Sequence, residues 1–381
     1  MPEIEQGPIR PPSEAQSLLL RVTRNCSWNH CEFCHIYKNQ KFSLRTVEEV
    51  KKDIDAIHSI VSEIKSWSWD QGFGGDITPA VTRSYLHSAR ELPEGYRNII
   101  LWLHRGGENV FLQDANNLIM KTQDLVEILT YLKKTFPSIE RITTYSRART
   151  IARKTLEELR ELHNAGLSRI HVGLESGYDP ILKLVQKGVT ARELIDAGRK
   201  VKESGISLSE YIMPGLGGKA MWKEHAVETA KVLSEINPDF IRVRTFKALT
   251  VMPIYSKIVS GELEIMNDDE IIAEERLLIE NLNGITSYFA SDHILNLLEE
   301  LDGKFPEAKD QMLAVIDRYL ALSRQEKNNF KLGRRTGYYR ELDDMNNPEM
   351  RMQIDQMLQR IETQHPGNFD SIISELMESF I

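Results

Sequence analysis

Cysteine is nearly absent from this chain of 381 residues: there are three, all inside the window Cys26-Ser-Trp-Asn-His-Cys31-Glu-Phe-Cys34. A large chain with an odd cysteine count and no recognisable signal peptide does not read as a disulfide framework. Long apolar runs are missing too, and none reaches membrane-spanning length. Positive charge is not in excess. Lys and Arg number 48 against 56 Asp and Glu, a net charge of −8, so there is no general nucleic-acid footprint, although a local basic groove stays open. The spaced glycine fingerprint that opens a helix directly after a first strand is also lacking, which argues against a Rossmann dinucleotide fold.

What is present describes an enzyme-sized chain. At 41% hydrophobic and 27% charged residues, it can bury a sizeable core in one large domain plus an appendage, or in two. The three thiols follow the strand-like run Leu18 to Val22, and their crowding points to metal. Structural zinc takes four closed ligands, whereas a 4Fe–4S cluster holds four irons, usually on four thiolates. Three thiolates leave one iron open to a non-protein ligand. Zinc on the cysteines plus His30 or His35 has suitable ligand types, but each histidine adjoins a cysteine, which strains a closed tetrahedron. Three inert buried thiols are the other alternative, and the polar company of Asn25, Asn29, His30 and Glu32 argues against them. Cluster-forming thiols fit a reducing compartment, so the cytoplasm is expected.

Strand and helix patterns then alternate. Apolar β-rich runs occur at Leu18 to Val22, Val110 to Gln113, Ile142 to Tyr145, Ile170 to Leu174, Leu208 to Met213 and Phe240 to Val243. Between them, helical periodicity covers Thr46 to Lys65, Gln123 to Thr135, Leu156 to Asn164, Ala191 to Ser204 and Lys223 to Ile236, with Gly166 and Gly205 as stops. Six strands separated by helices predict parallel pairing with right-handed crossovers. The expected fold is therefore α/β, a TIM-like barrel or partial (β/α)6 barrel whose chemistry lies at the C-terminal ends of its strands. The cysteine loop follows the first of them.

With the cysteine loop, Phe33 before the last cysteine, and the segments Val110 to Asn116, His171 to Gly177 and Tyr211 to Gly217, the chain resembles the radical S-adenosylmethionine (SAM) superfamily. The likeness covers residues 17–246 and is nearest to the branch of oxygen-independent coproporphyrinogen oxidase-like barrel proteins. One departure stands out: four residues, Ser27 to His30, separate the first two cysteines where the family usually has three. The resemblance implies a cluster on Cys26, Cys31 and Cys34 whose open iron SAM chelates. Reductive cleavage then gives methionine and a 5′-deoxyadenosyl radical that abstracts hydrogen from the substrate, with reduced flavodoxin or ferredoxin as electron donor.

The resemblance also nominates cofactor-binding residues. Gly106-Gly107-Glu108 has the composition of the family's turn after the second strand, but following a helical run it reads better as a helix C-cap. Gln113-Asp114-Ala115-Asn116, where that strand ends, is the better equivalent, with Asp114 the favoured residue and Gln113 beside it. Ser146 and Arg147 follow the third strand, where a guanidinium suits the SAM carboxylate and a solvated arginine is equally in character. Glu175 ends the fourth strand and suits the ribose hydroxyls. Lys187 is placed for the SAM carboxylate, or simply ends a helix. Ile212 to Gly215 offer backbone to adenine, and Phe33 belongs to the cluster loop.

Residues 1–16 read as an N-terminal extension, 66–97 as an insertion serving as lid or interface, and 247–381 as a mainly helical C-terminal region. Helices are expected there at Asp268 to Asn283, Ile294 to Leu301, Pro306 to Arg324, Pro348 to Arg360 and Phe369 to Phe380, with an added strand over 285–290. Such a strand delivers Asp292 and His293, candidates for binding substrate or moving a proton, while Ser291-Asp292 also makes an N-cap. The segment Gly333 to Arg340 mixes cations with aromatics, to close over an anionic substrate or to pack across the barrel mouth; single-stranded nucleic acid is a third use, against which the acidic chain argues. The expected function is radical SAM chemistry on a small, anionic molecule. Modification of a peptide or RNA, and a non-catalytic iron–sulfur carrier or sensor, are the alternatives; neither membrane nor nucleic acid is the expected partner.

Overall fold

The computed structural model describes residues 4–88 and 92–380. The first three residues of the 1–16 extension, residues 89–91 of the insertion and the last residue of the C-terminal region lie outside the described residues. Eight strands form one sheet in chain order: β1 (Leu18–Arg21), β2 (Asn109–Gln113), β3 (Arg141–Ser146), β4 (Leu167–Glu175), β5 (Ser207–Ile212), β6 (Phe240–Val243), β7 (Tyr288–Ala290) and β8 (Asp302–Lys304). β1 to β4 pair in parallel, as do β5 to β7, and β8 returns antiparallel to β7. All six expected strands are present, and the one foreseen over 285–290 is β7. No barrel closes. The chain divides into two compact units, Met1–Asn29 with Ile36–Gly173 and Asp196–Leu208, and His30–His35 with Leu174–Ile195 and Ser209–Ile381.

In the first unit the sheet has two unlike faces, because successive side chains along a strand alternate. Val110, Leu112, Ile142, Ile170 and Val172 are buried on one face, the face of the crossover helices. Those helices include α1 (Val47–Asp70), α2 (Pro79–Ser88), α3 (Glu94–His104), α4 (Thr122–Thr135), α5 (Ala148–Arg153) and α6 (Leu156–Asn164). Thr46 with Glu49 and Thr155 with Glu158 form reciprocal capping boxes that start α1 and α6, each worth about 1 kcal/mol. α1 runs to Asp70, beyond the expected Lys65, and α2 follows within the insertion. The opposite face carries a row of rings, Phe111 to Tyr145 at 5.6 Å and Tyr145 to His171 at 5.3 Å between centroids. The N-terminal segment, with a 3-10 turn at Pro12–Glu14, lies along that side: Gln113 bonds Gly7 through both ends of its amide, and the buried Glu14 meets Ser17, Arg141 and His171.

The second unit holds α7 (Asp179–Leu184), α9 (Gly218–Ile236), α10 (Tyr255–Val259), α11 (Asp268–Asn281), α12 (Lys309–Leu320), α13 (Arg324–Arg335), α14 (Pro348–Gln364) and α15 (Phe369–Glu378), while α8 (Ala191–Glu203) spans both units. Ile181, Val185, Met213, Leu216, Phe246, Met252, Ile254 and Leu263 form a core cluster. Two expectations are corrected here. The segment from 294 to 301 is not a helix: Arg335 Nη1 donates to the carbonyls of Ile294, Leu295 and Asn296, which a helix would keep for itself, and Leu295, Leu297, Leu298 and Leu301 are buried. Ser291 and Asp292 therefore cap nothing. The second correction concerns Pro306 to Arg324, where α12 stops at Leu320 and a new helix, α13, carries residues 324–335, started by the Ser323 and Glu326 capping box.

α13 also decides what the Gly333 to Arg340 segment does. Arg335 is bound as described and reaches Asp268 at 3.2 Å, and Arg334 pairs with Glu299 at 2.9 Å. Tyr339 stacks on Phe330 and lies so close over the helix that a Cβ at position 333 would stand 2.1 Å from its ring, which requires glycine there. These two arginines and the ring serve packing.

Candidate active site

Each side of the cysteine loop has its own anchor. Cys26 lies in the first unit, where Asn25 and Asn29 both take left-handed backbone, φ 70° and 50°, a conformation asparagine tolerates better than most residues. The turn at Asn29 sits in the four-residue gap between the first two cysteines. Asn25 Nδ2 donates to the Lys41 carbonyl and Asn29 Nδ2 to that of Tyr37. Under this loop lies Asp114, fully buried at the end of β2 with φ 75°. Its Oδ2 accepts from Arg21 Nε at 2.6 Å and from the Asn25 N–H at 3.3 Å, and its Oδ1 accepts from the Tyr37 hydroxyl at 2.7 Å. Burial and the Asp114 charge push the Tyr37 phenol far above its ordinary range, so it remains a donor.

Cys31 and Cys34 lie in the second unit, anchored through Glu32. Its backbone N–H donates to Val185 O at 2.9 Å and its carbonyl accepts from Ile254 N. Its carboxylate accepts from Gln186 Nε2 at 2.5 Å and pairs with Lys257 at 2.7 Å. Phe33 packs against the core cluster, and Lys187 Nζ lies 5.4 Å over its ring.

All three cysteines are outside any disulfide and of intermediate burial. The Asn29 N–H donates to Cys26 Sγ at 3.4 Å, a bond suited to a sulfur carrying negative charge. Thiols in this state fit the donor chemistry of an iron–sulfur cluster. Among the described residues, no group of three or more His, Cys, Asp or Glu is gathered as a single metal ion requires.

The strand-end candidates sort into two groups. In the first unit Asn116, the last residue of the stretch expected to serve as the family's turn, joins Ser27 of the loop (2.8 Å) and Thr150 (2.9 Å) through Nδ2, while its Oδ1 accepts from Ser146 Oγ and from the Arg147 N–H, both at 3.1 Å. The Arg147 guanidinium stands 4.7 Å over the Trp28 ring, a cation–π contact. Gln113 spends its amide on the N-terminal segment, and Asp114 on Arg21, Asn25 and Tyr37. Gly106 and Gly107, φ 101° and 71°, donate to Leu103 O and Trp102 O and so end α3, the C-cap expected of them.

In the second unit Glu175, Lys187 and Phe33 come together. Glu175 ends β4 at φ 62°, 8% exposed, and its Oε1 accepts from Lys187 Nζ at 2.7 Å. A non-glycine residue held in this region stores backbone strain, and such residues cluster at functional sites. Its carbonyl accepts from Met213 N at 3.0 Å and His225 Nε2 at 3.2 Å. His225 Nδ1 lies 2.5 Å from Glu274 Oε1, and Glu274 Oε2 accepts the Gly215 N–H at 2.8 Å. Ile212 to Gly215, the segment expected to offer backbone to adenine, make internal bonds with part of that backbone. Ile212 O accepts from Arg244, Met213 N–H donates to Glu175 O, Pro214 O accepts from Phe246, and the Gly215 N–H is taken by Glu274.

Asp292 and His293 lie past β7. Asp292 pairs with Arg242 at 2.5 Å. His293 is pushed down to about 4, by burial first and then by the nearby Arg244, so it is neutral at pH 7. Its Nδ1 accepts the Leu295 N–H at 3.2 Å, which leaves the proton on Nε2. At pH 7 the ring therefore presents a donor, not a base.

Residues 78–230 match the sequence profile of the Radical SAM superfamily; the cysteine loop lies outside that stretch. The tRNA uridine(34) acetyltransferase of Methanocaldococcus infernus is 29% identical over 122 residues, 30% of this chain and 22% of that protein. Threonylcarbamoyladenosine tRNA methylthiotransferase MtaB of Bacillus subtilis is 24% identical over 247 residues, 62% of this chain and 50% of that one. The chain thus spans between about a fifth and a half of these relatives' lengths. Among solved structures, coproporphyrinogen III oxidase of Escherichia coli, a radical SAM enzyme, is similar with TM-score 0.47 and 16% identity over 71% of this chain and 53% of that one. No described helix is long and apolar enough to cross a membrane. Residues 78–230 thus carry a radical SAM domain, a domain whose superfamily uses a 4Fe–4S cluster and SAM.

Proposed function

We propose that Cys26, Cys31 and Cys34 hold the cluster, that Glu175 and Lys187 receive SAM, and that the substrate is a small, anionic organic molecule from which a hydrogen atom is removed. The observation that carries this reading is the cysteine loop itself: three cysteines outside any disulfide, after the first strand of a parallel sheet, with Asn25, Asn29 and Glu32 anchoring the loop. When bound, the cofactors supply reductive SAM cleavage and hydrogen abstraction. The protein's work is to hold and exclude. Glu175, fixed in a left-handed conformation by His225 and Met213, offers a carboxylate that suits two ribose hydroxyls, and Lys187 supplies positive charge suited to a carboxylate. His293, as an Nε2–H donor, binds substrate and takes no proton from it. Reduced flavodoxin or ferredoxin delivers the electron, and the cytoplasm is the compartment that keeps the thiols reduced.

Anaerobic reconstitution tests this. Added dithionite and SAM should release 5′-deoxyadenosine, and alanine at any one of the three cysteines should abolish both cluster and release; an active single variant refutes the triad. A second reading, RNA modification, is favoured by the two relatives named for tRNA chemistry. It requires tRNA binding that weakens steeply as salt rises, and salt-independent or absent binding in a filter assay removes it.

A further inference from the structure

The N-terminal segment places Glu5 in a cradle of guanidinium groups. Arg24 grips the Glu5 carboxylate as a fork, Nε to Oε1 at 2.7 Å and Nη2 to Oε2 at 2.8 Å. Arg21 Nη1 reaches Oε1 at 3.1 Å, and Arg45 Nε stands 3.4 Å from Oε2. Three arginines on one carboxylate is the arrangement by which proteins recognise acids, and the Arg24 bonds hold the Glu5 carboxyl below its ordinary range.

The cradle does not depend on Glu5 for its shape. Arg45 is fixed by Asp53 at 2.6 Å and by the carbonyls of Arg21 and Glu49. Arg21 is fixed by Asp114 at 2.6 Å and Arg24 by Glu49 at 3.0 Å. These three arginines and three acids already balance in charge, so Glu5 is a supernumerary monoanion in a site organised without it. Residues 4–8 belong to no helix or strand, and the Glu5 side chain is 30% exposed. Below it the segment is seated closely, since a Cβ on Gly7 would stand 2.8 Å from Asp114 Oδ1. Arg24 is separated from Cys26 only by Asn25, and Asp114 accepts from both Arg21 and Asn25.

We propose that Arg21, Arg24 and Arg45 form a carboxylate-binding subsite for the substrate, with Glu5 as a built-in stand-in that the substrate's own carboxylate displaces. The fork on Arg24 favours a singly charged group with two oxygens in a plane, a carboxylate in preference to a phosphate dianion. The assignment to substrate rests on the proposed function; the binding itself needs neither cluster nor SAM, so the two fail separately.

The test is titration calorimetry on the full chain, wild type beside Glu5→Ala and Glu5→Gln, with glutarate and inorganic phosphate as probes and thermal unfolding as a check on folding. Both variants should bind glutarate about tenfold or more tighter than wild type, the discrimination expected of a charge-assisted fork. Adding Arg24→Ala should remove the gain. No gain in either folded variant, a gain that survives Arg24→Ala, or a preference for phosphate overturns the proposal. Displacement of glutarate by SAM would give the cradle to the cofactor and overturn its assignment to substrate.

Discussion

Asp114 is a single buried carboxylate on which one end of the cysteine loop depends. Asp114→Asn leaves its shape but removes the charge facing Arg21, and breaking such a buried pair costs about 3 kcal/mol. Unfolding should move to lower denaturant, and iron bound per chain after reconstitution should fall; full iron loading in a folded variant would confine Asp114 to the fold. Glu175→Ala should instead weaken SAM binding with iron content near normal, and an unchanged affinity would make the residue structural. His293 makes a prediction in pH. Its folded value of about 4 lies below the ordinary 6.5, so between the two the unfolded chain binds the extra proton and stability falls as pH falls. His293→Gln should flatten that slope by on the order of 1–3 kcal/mol across the window, a difference read from denaturant curves at pH 4.5 and 7.

At the scale of elements, α11 carries two adjacent carboxylates with different duties. Glu274 ties α9 to the turn after β5 through His225 and Gly215, and through His225 it supports the left-handed Glu175 at the end of β4. Glu274→Ala should therefore lower SAM affinity several-fold, with Glu274→Gln partly restoring it and iron content unmoved by either; equal loss of iron and SAM would indicate general unfolding. α13 makes a contrasting case. Arg335 is 2% exposed and bonds three carbonyls and Asp268, so Arg335→Ala should cost about 3–5 kcal/mol of stability. A well-folded Arg335→Ala with impaired substrate binding would restore the anion-gripping role considered for this segment.

For the molecule as a whole, buried carboxyls set the alkaline limit of stability. Glu275 is pushed up to about 8 by burial and by its neighbours Glu274 and Asp268, and Glu210 is raised well above its ordinary value by burial. The folded chain keeps these protons where the unfolded chain has lost them, so stability falls as pH rises from about 4.5 to 8. Below 6.5 His293 contributes the opposite slope, so the melting temperature should fall most clearly between pH 6.5 and 8. Glu275→Gln should reduce that fall. An identical profile in the variant would show that Glu275 does not titrate in this window.

The strands were legible because buried parallel strands must be continuous β-branched and apolar runs, and Ile142 to Tyr145 or Phe240 to Val243 have no other use. The cysteine loop stood out because three thiols in one window have few chemical purposes, and the cluster on it is a proposal. The apolar density of 294–301 misled, since leucines bury equally well in a helix or in a segment whose carbonyls belong to Arg335. Most partners were beyond reach of spacing: Gln186 lies 154 residues from Glu32, Tyr37 lies 77 from Asp114, and His225 lies 50 from Glu175. By itself, then, the sequence determined the alternation of elements and the gathering of all three cysteines in one loop, both of which are local patterns. Only the tertiary structure decided which polar groups are already spent, Gln113 on Gly7, the Gly215 N–H on Glu274, Glu5 on three arginines. A hydrogen bond or ion pair acts over about 3 Å, and folding alone brings residues so far apart in the chain within that distance.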